Sequence, residues 1–360
     1  MAPRLTDPWR LGPYEIPNRV LLAPLAGIGT WFVRLQALRH GAGLATSEMV
    51  SSFAIHHRNE KTMNELLRIH PEEREFGGPV SIQLFGQDPD VMRSAAETAA
   101  QAGAGIIDLN MGCPVPKVCK TGAGAALIKD PDTAVAVARA AGEGSGLPVT
   151  VKLRSGQRPG ETDGYDLAHR LVDEAGVAAI GFHPRSAAVH HKGTPDYDLA
   201  AKLVGSLDAP VVLTGGLHTP AEIVAAYERT GAAAVMLARG SLGNPWLFEQ
   251  VLGLRESEPE PEEVLAELRW LIDRAVEHLG DERAARWLRK AYSWYVPRLR
   301  LPGGEKALNE ALQRTSNTAQ ARALLVATMP RPNAPRSNSH PGRPGEAPGG
   351  ARSSLGREAA

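Results

Sequence analysis

Cys113 is the residue around which chemistry is most readily drawn. It follows the apolar run Ile106, Ile107, Asp108 and Leu109 and stands beside Asn110, Gly112 and Pro114. Glycine and proline forbid a strand from continuing and force a turn, so Asn110 and Cys113 are presented at an open strand tip. A thiol with an ordinary pKa of about 8.5 is mostly protonated at neutral pH yet acidic enough to donate, which is the property of a general acid. Taken alone, an unpaired cysteine reads first as a buried structural thiol. The company it keeps along the chain argues for chemistry.

Short β-branched or aliphatic runs recur, each followed by a turn and a longer Ala-rich stretch, the pattern of repeated βα units. Eight such runs are read at 20–24, 44–50, 80–85, 106–110, 149–154, 178–183, 211–215 and 234–239. Eight parallel strands with intervening helices over about 230 residues match an α/β fold of the closed (β/α)8 TIM-barrel type. A doubly wound open sheet would show fewer units and a GxGxxG after its first strand. The chain has neither.

In such a barrel the active site is built at the C-terminal ends of the strands. Those ends carry Pro24, Leu25 and Ala26 after the first run, Gln83 in the third, Asn110 and Cys113 at the fourth, Lys152 and Arg154 in the fifth, and His183 and Arg185 at the sixth. The last two runs end in Thr214-Gly215-Gly216 and Ala238-Arg239-Gly240. Loops after strands seven and eight are where barrels commonly hold a phosphate; glycine lets backbone amides approach the anion, and Arg239 can fork onto its oxygens. A phosphate site, a strand-end lysine and two amides suit flavin mononucleotide lying across the barrel mouth. Gln83 and Asn110 can bond the pyrimidine edge of the ring, and Lys152 can stabilise negative charge on its reduced form. A solvated surface lysine is the plainer reading, but Val149, Val151 and Leu153 alternate so as to turn Lys152 inward.

Composition sets the bounds. With 360 residues, 43% of them hydrophobic, the chain can bury one large α/β domain and a smaller one. No run of about 18 apolar residues and no signal-like apolar stretch near the N-terminus is present, so a cytoplasmic protein without a membrane association is expected. Cys113 and Cys119 lie too far apart for a CxxC motif and lack His or Cys at zinc spacing, so neither a disulfide framework nor a metal is expected. His190 and His191 read as a solvated loop, adjacent histidines pointing in different directions. A formal net charge of zero is uninformative, because partners respond to local patches.

The barrel is expected over residues 1–255. A charged, proline-punctuated linker follows, and residues 261–329 read as a small helical bundle with helices near 262–279, 281–295, 305–315 and 319–327. Residues 330–360, rich in Pro, Gly, Ser and Arg, read as a disordered tail. Within the bundle, Arg283, Arg286, Arg289 and Lys290 share a helix face beside Trp287, Tyr292, Trp294 and Tyr295, with no acidic residue between Arg283 and Arg300. That composition suits a nucleic-acid surface, against the plainer reading of a solvated basic face over an aromatic core.

The chain resembles the tRNA-dihydrouridine synthases, flavin enzymes that reduce a uridine ring in tRNA. The resemblance runs from about Gly12 to Ala327. It is carried by Ala23-Pro24-Leu25-Ala26-Gly27, Gln83-Leu84-Phe85-Gly86, Leu109-Asn110-Met111-Gly112-Cys113-Pro114, Val151-Lys152-Leu153-Arg154-Ser155-Gly156 and Gly243-Asn244-Pro245-Trp246. It implies that Pro24, Leu25, Ala26, Gln83, Lys152, His183, Gly215, Gly216, Ala238 and Arg239 bind FMN and that Cys113 is the catalytic acid. It implies a helical tRNA-binding domain, with Arg154, Arg185, Arg286, Arg289 and Lys290 as candidate RNA contacts. Thr214 and Gly216 stand where the family often has Asn and Asp, and Ala187 where it has a second arginine.

The expected reaction adds hydride from flavin N5 to uracil C6, polarised by the C4 carbonyl, and a proton from Cys113 to C5. NADPH, or NADH, would refill the flavin; no dinucleotide fingerprint decides between them. A uridine in folded tRNA must be splayed out to reach a barrel mouth. The chain is expected to act as a monomer. Two rivals remain: an FMN barrel acting on a small enone or dihydropyrimidine, which has no use for a basic aromatic bundle, and an RNA-binding scaffold without catalysis, which has no use for Cys113 and Lys152.

Overall fold

The computed structural model describes residues 3–76, 78–301 and 304–328. The segment read as a disordered tail lies outside the described residues. The chain opens with an antiparallel hairpin, β1 (Trp9–Leu11) and β2 (Tyr14–Ile16), which the sequence reading did not include. The parallel strands follow as β3 (Val20–Leu22), β4 (Leu44–Ala45), β5 (Val50–Ser51), β6 (Ser81–Phe85), β7 (Ile106–Met111), β8 (Val149–Arg154), β9 (Ala179–His183), β10 (Val211–Thr214) and β11 (Ala234–Leu237).

These nine strands form one sheet in the order β4-β3-β11-β10-β9-β8-β7-β6-β5. The run expected at 44–50 is split into β4 and β5, so nine strands make eight staves. Between the pieces, Thr46 bridges Ser81 of β6 and closes the ring. Ser47 N–H still donates to Ser81 O (2.9 Å), but Glu48 N–H is drawn to Gly29 O (3.0 Å), and that departure from the ladder carries Glu48 and Met49 to the barrel mouth. The eighth run also ends early, at Leu237, and Arg239–Ser241 forms a 3-10 turn in place of strand.

Period-2 alternation sorts the strand residues. Val149, Val151, Leu153, Ile180, Phe182, Val211 and Leu213 pack outward under the helices. Leu21, Leu44, Ile106, Ala179, Val212 and Ala234 point into the lumen, where Trp9, Leu11 and Ile16 of the hairpin pack against them and plug the N-terminal end. Farther along the strands the inward positions become polar, at Gln83, Asp108, Asn110, Lys152 and His183. An apolar floor therefore carries a polar upper layer. Proline-initiated helices with side-chain caps, such as Pro89–Gln101 on Asp88, Pro131–Ser145 on Asp130 and Pro220–Thr230 on Thr219, cover the outside.

Arg34, on helix Trp31–Arg39, is only 1% exposed. It forks onto Glu73, with Nε to Oε1 at 2.7 Å and Nη2 to Oε2 at 3.0 Å, and also donates to Gly29 O and Arg68 O. Helices Pro261–Leu279, Asp281–Tyr295, Lys306–Gln313 and Thr318–Thr328 complete the described chain. Their buried side chains belong to the same continuous apolar cluster as the barrel's outer layer. Trp287 meets Phe32 edge to face at 4.9 Å, and Glu267 accepts from Gln36 Nε2 at 2.8 Å. No helix among the described residues is long and apolar enough to cross a membrane.

Candidate active site

A cavity of about 410 Å³ opens at the C-terminal ends of the strands. Pro24, Leu25, Ala26, Gln83, Asn110, Cys113, Lys152, Arg154, His183, Gly215, Gly216, Ala238 and Arg239 all line it. Residues far apart in sequence meet because each sits at the upper end of its own stave. Cys113 is half-buried, beyond the tip of β7. Asn110 Oδ1 accepts from Cys113 N–H at 2.9 Å and Gly112 N–H at 3.2 Å, so this side chain builds the turn that presents the thiol.

Two glycines make room. Gly181 on β9 leaves space for Lys152, whose Cγ would lie 3.4 Å from an added Cβ. Gly215, at φ +100°, is more demanding: a Cβ there would fall 2.3 Å from His183 Nε2. Arg185 Nη1 lies 3.2 Å from His183 Nε2 while Nε and Nη2 hold Gly193 O. As a donor, Arg185 makes Nε2 the acceptor, so Nδ1 carries the ring proton. Burial first, then Lys152, Arg154 and Arg185, push the His183 pKa well below its usual range, and the ring is neutral.

Burial pulls the Lys152 ammonium down to about 8, with Arg154 adding to the shift and Asp108 opposing it. Arg154 is lowered to about 10, again chiefly by burial. Burial raises Asp108 to about 6 against the pull of Thr150, Gln83 and Lys152. Lys152, Arg154 and exposed Arg239 thus gather around one cavity, with Asp108 as the nearby buried acid. The excess is positive and suits an anionic ligand.

The candidate RNA contacts divide. Arg154 lines the cavity but commits Nε to Gly112 O (3.0 Å) and Nη1 to Ser186 O and His190 O (3.1 and 2.7 Å), tying the Cys113 loop to the loop after β9. Arg185 lies behind His183. Arg286 is exposed and has no ion pair among the described residues, Arg289 donates to Thr315 O, and Arg283 pairs with Glu65. Lys290 reaches the barrel: its Nζ donates to Gly27 O at 2.6 Å, while Gly27 N–H donates to Glu48 Oε2 at 2.8 Å. The two charged groups grip one residue from either side, through its N–H and its C=O, next to Ala26 at the cavity edge.

Two features differ from the sequence reading. His190 and His191 are exposed, as in a solvated loop, but both also line the cavity. The positive φ of His190 (52°) turns the loop back over the mouth, and the His191 ring stacks on His183 with centroids 6.1 Å apart. Asp108, within the apolar run of β7, lies outside the candidate residues named from sequence. An acid two residues before Asn110 on the same inward file was the signal available for it.

A family model described as dihydrouridine synthase matches residues 21–331. The tRNA-dihydrouridine synthase B of Pseudomonas aeruginosa is 34% identical over 305 residues, covering 82% of this chain and 89% of the relative. That of Vibrio vulnificus is 33% identical over 327 residues, covering 89% and 97%. Among solved structures, morphinone reductase in complex with tetrahydroNAD superposes with a TM-score of 0.50 at 17% identity, covering 73% of this chain and 94% of its own. Histamine dehydrogenase from Rhizobium sp. 4-9 gives 0.55 at 15%, covering 70% of this chain, which spans about half (48%) of that protein. These two likenesses concern the fold alone.

Proposed function

The chain belongs to the dihydrouridine synthase family, and from that premise we propose that its cavity reduces a uridine of tRNA to 5,6-dihydrouridine, using flavin mononucleotide and a reduced nicotinamide, NADPH, as the source of electrons. The observation that carries this reading is a single cavity lined by a thiol, two amides, a partly desolvated lysine and two glycine-bearing strand ends beside Arg239.

The donor set fits FMN. None of the described residues offers Lys152 Nζ a hydrogen-bond acceptor, so a partly desolvated cation is left to serve a ligand. The glycines at 215 and 216 have positive φ, and a Cβ at Gly216 would meet Tyr197 Oη at 2.7 Å, so the chain passes close at a cradle where backbone can approach an anion. Gly215, Gly216, Ala238 and Arg239 would hold the phosphate, and Pro24, Leu25, Ala26, Gln83, Asn110, Lys152 and His183 the ring. When bound, the flavin supplies the hydride for uracil C6. Cys113 holds the proton for C5 at the cavity wall, kept in place by Asn110 and by the Arg154 tie to Gly112 O. Neutral His183 adds no charge beside Lys152, whose ammonium balances negative charge on a reduced ring.

On the substrate side, the helical region carries Arg286, Arg289 and Lys290, and the last of these reaches the cavity edge. We assign this region, with the free Nη2 of Arg154, to gripping tRNA while the target base enters the cavity. Lys152→Met, similar in length but uncharged, is expected to weaken flavin binding by roughly tenfold or more, the range of a lost charge-assisted bond. Fluorescence titration of the apoprotein with FMN reads it. Nucleoside analysis of unmodified tRNA incubated with protein, FMN and NADPH tests the function: dihydrouridine accumulates if the reading holds. Conversion of a free enone or pyrimidine with none of tRNA would replace it with the small-molecule reading.

A further inference from the structure

We propose that Asp108 is a positioning residue for this reaction, acting through the side chains of Gln83 and Asn110 to fix the loop that carries Cys113. The proposal rests on the reading of Cys113 as proton donor. Asp108 and Asn110 share the inward face of β7, and Gln83 stands opposite Asp108 on β6. The three side chains form a continuous row. Thr150 Oγ1 donates to Asp108 Oδ1 at 2.6 Å, and Gln83 Nε2 donates to Asp108 Oδ2 at 2.6 Å. Asn110 Nδ2 donates to Gln83 Oε1 at 2.9 Å, and its oxygen receives Cys113 N–H at 2.9 Å.

A primary amide is an acceptor at one end and a donor at the other, so reversing either amide would place like against like at both of its neighbours. The ends of the row decide the direction. A carboxylate oxygen accepts at Asp108; backbone N–H groups can only donate at Gly112 and Cys113. The second hydrogen of Asn110 Nδ2 points at Met49 Sδ (3.5 Å), another acceptor, and agrees with the same direction. Asp108 is 4% exposed and Gln83 1%, so water cannot replace a lost member cheaply. Removing the acceptor at position 108 frees Gln83 to turn, which withdraws the acceptor from Asn110 and loosens the Cys113 turn.

The role belongs to the acceptor oxygen, not to the charge. Asp108→Asn keeps an oxygen for Gln83 and can present its amide to the Thr150 hydroxyl, which accepts as well as donates. Asp108→Val keeps the shape and strand preference but has no acceptor. The test is amide hydrogen exchange of the Cys113 segment in the full-length flavoprotein, together with turnover on tRNA. Asp108→Val is expected to speed exchange at Cys113 and to lower kcat, each by about tenfold, the effect of one buried hydrogen bond. Asp108→Asn should stay within about threefold in both. Gln83→Ala should speed exchange similarly, and the double variant with Asp108→Val should be no worse than Gln83→Ala, since the residues act in series.

Additive effects in the double variant, or an Asp108→Asn protein as fast-exchanging as Asp108→Val, would overturn the proposal. The second comparison remains decisive through the isosteric Asp108→Asn even if Asp108→Val fails to fold, because strong loss of Cys113 protection in that variant contradicts an acceptor role. Faster exchange with unchanged turnover would leave the row as architecture and remove its part in the reaction. Exchange does not depend on tRNA reduction, so it separates failure here from failure of the proposed function.

Discussion

Cys113→Ala is expected to lower turnover on tRNA by about a thousandfold, within the 10²–10⁴ range of a positioned general acid, while leaving flavin binding and reduction by NADPH nearly unchanged. The split follows from geometry. Cys113 lies beyond the tip of β7 on the wall of the cavity, and its backbone N–H, not its thiol, makes the turn with Asn110. Alanine therefore keeps the turn and loses only the proton. Separate measurement of flavin reduction by NADPH and of its reoxidation by tRNA checks this: the loss must fall on reoxidation alone.

Glu73→Gln is expected to destabilise the fold by about 3–5 kcal/mol, because it leaves the Arg34 guanidinium buried against a neutral partner. Arg34 and Glu73 side chains are each 1% exposed, and the pair is bidentate. Arg34 also holds Gly29 O and Arg68 O, and Glu73 accepts from His70 N–H at 2.8 Å, so the loop below the cavity rim and the segment before helix Pro71–Arg74 loosen together. A thermal melt should move down by roughly 10 °C. Replacing both partners, Arg34→Met with Glu73→Leu, should recover much of the loss, since burial without charge removes the desolvation penalty.

The fold was legible because its signals are local. Each stave is a short β-branched or aliphatic run, and the alternation of Val149, Val151 and Leu153 against Lys152 placed the lysine on the lumen side by period alone. The hairpin Trp9–Leu11 and Tyr14–Ile16 was not, since three-residue strands carry too little pattern to rise above a loop. The break at 46–49 was equally invisible, because the carbonyl that draws Glu48 away from the ladder is that of Gly29, almost twenty residues distant in the chain.

The strand-end residues that line the cavity could be named from sequence because the barrel dictates where they converge. Their partners could not. That Arg185 serves His183 and Gly193 depends on how one loop folds back on itself, and that Lys290 reaches across to Gly27 depends on the approach of elements far apart in sequence. His190 and His191 are exposed, as a solvated loop requires, but their place on the cavity wall is not written in the sequence: a loop can be solvated and still fold over a cavity. Asp108 was visible as an acid in an apolar run, but its buried bonds to Gln83 and Thr150 needed the neighbouring strands in register.

The most direct measurement is anaerobic. The protein's flavin is reduced with NADPH, the excess is removed, and the return of oxidised-flavin absorbance is followed after mixing with unmodified tRNA, beside Cys113→Ala. Rapid reoxidation by tRNA, slowed about a thousandfold in the variant, is the predicted result. Reoxidation by tRNA that is equally fast without the thiol would contradict Cys113 as proton donor, and no reoxidation by tRNA at all would contradict uridine reduction in this cavity.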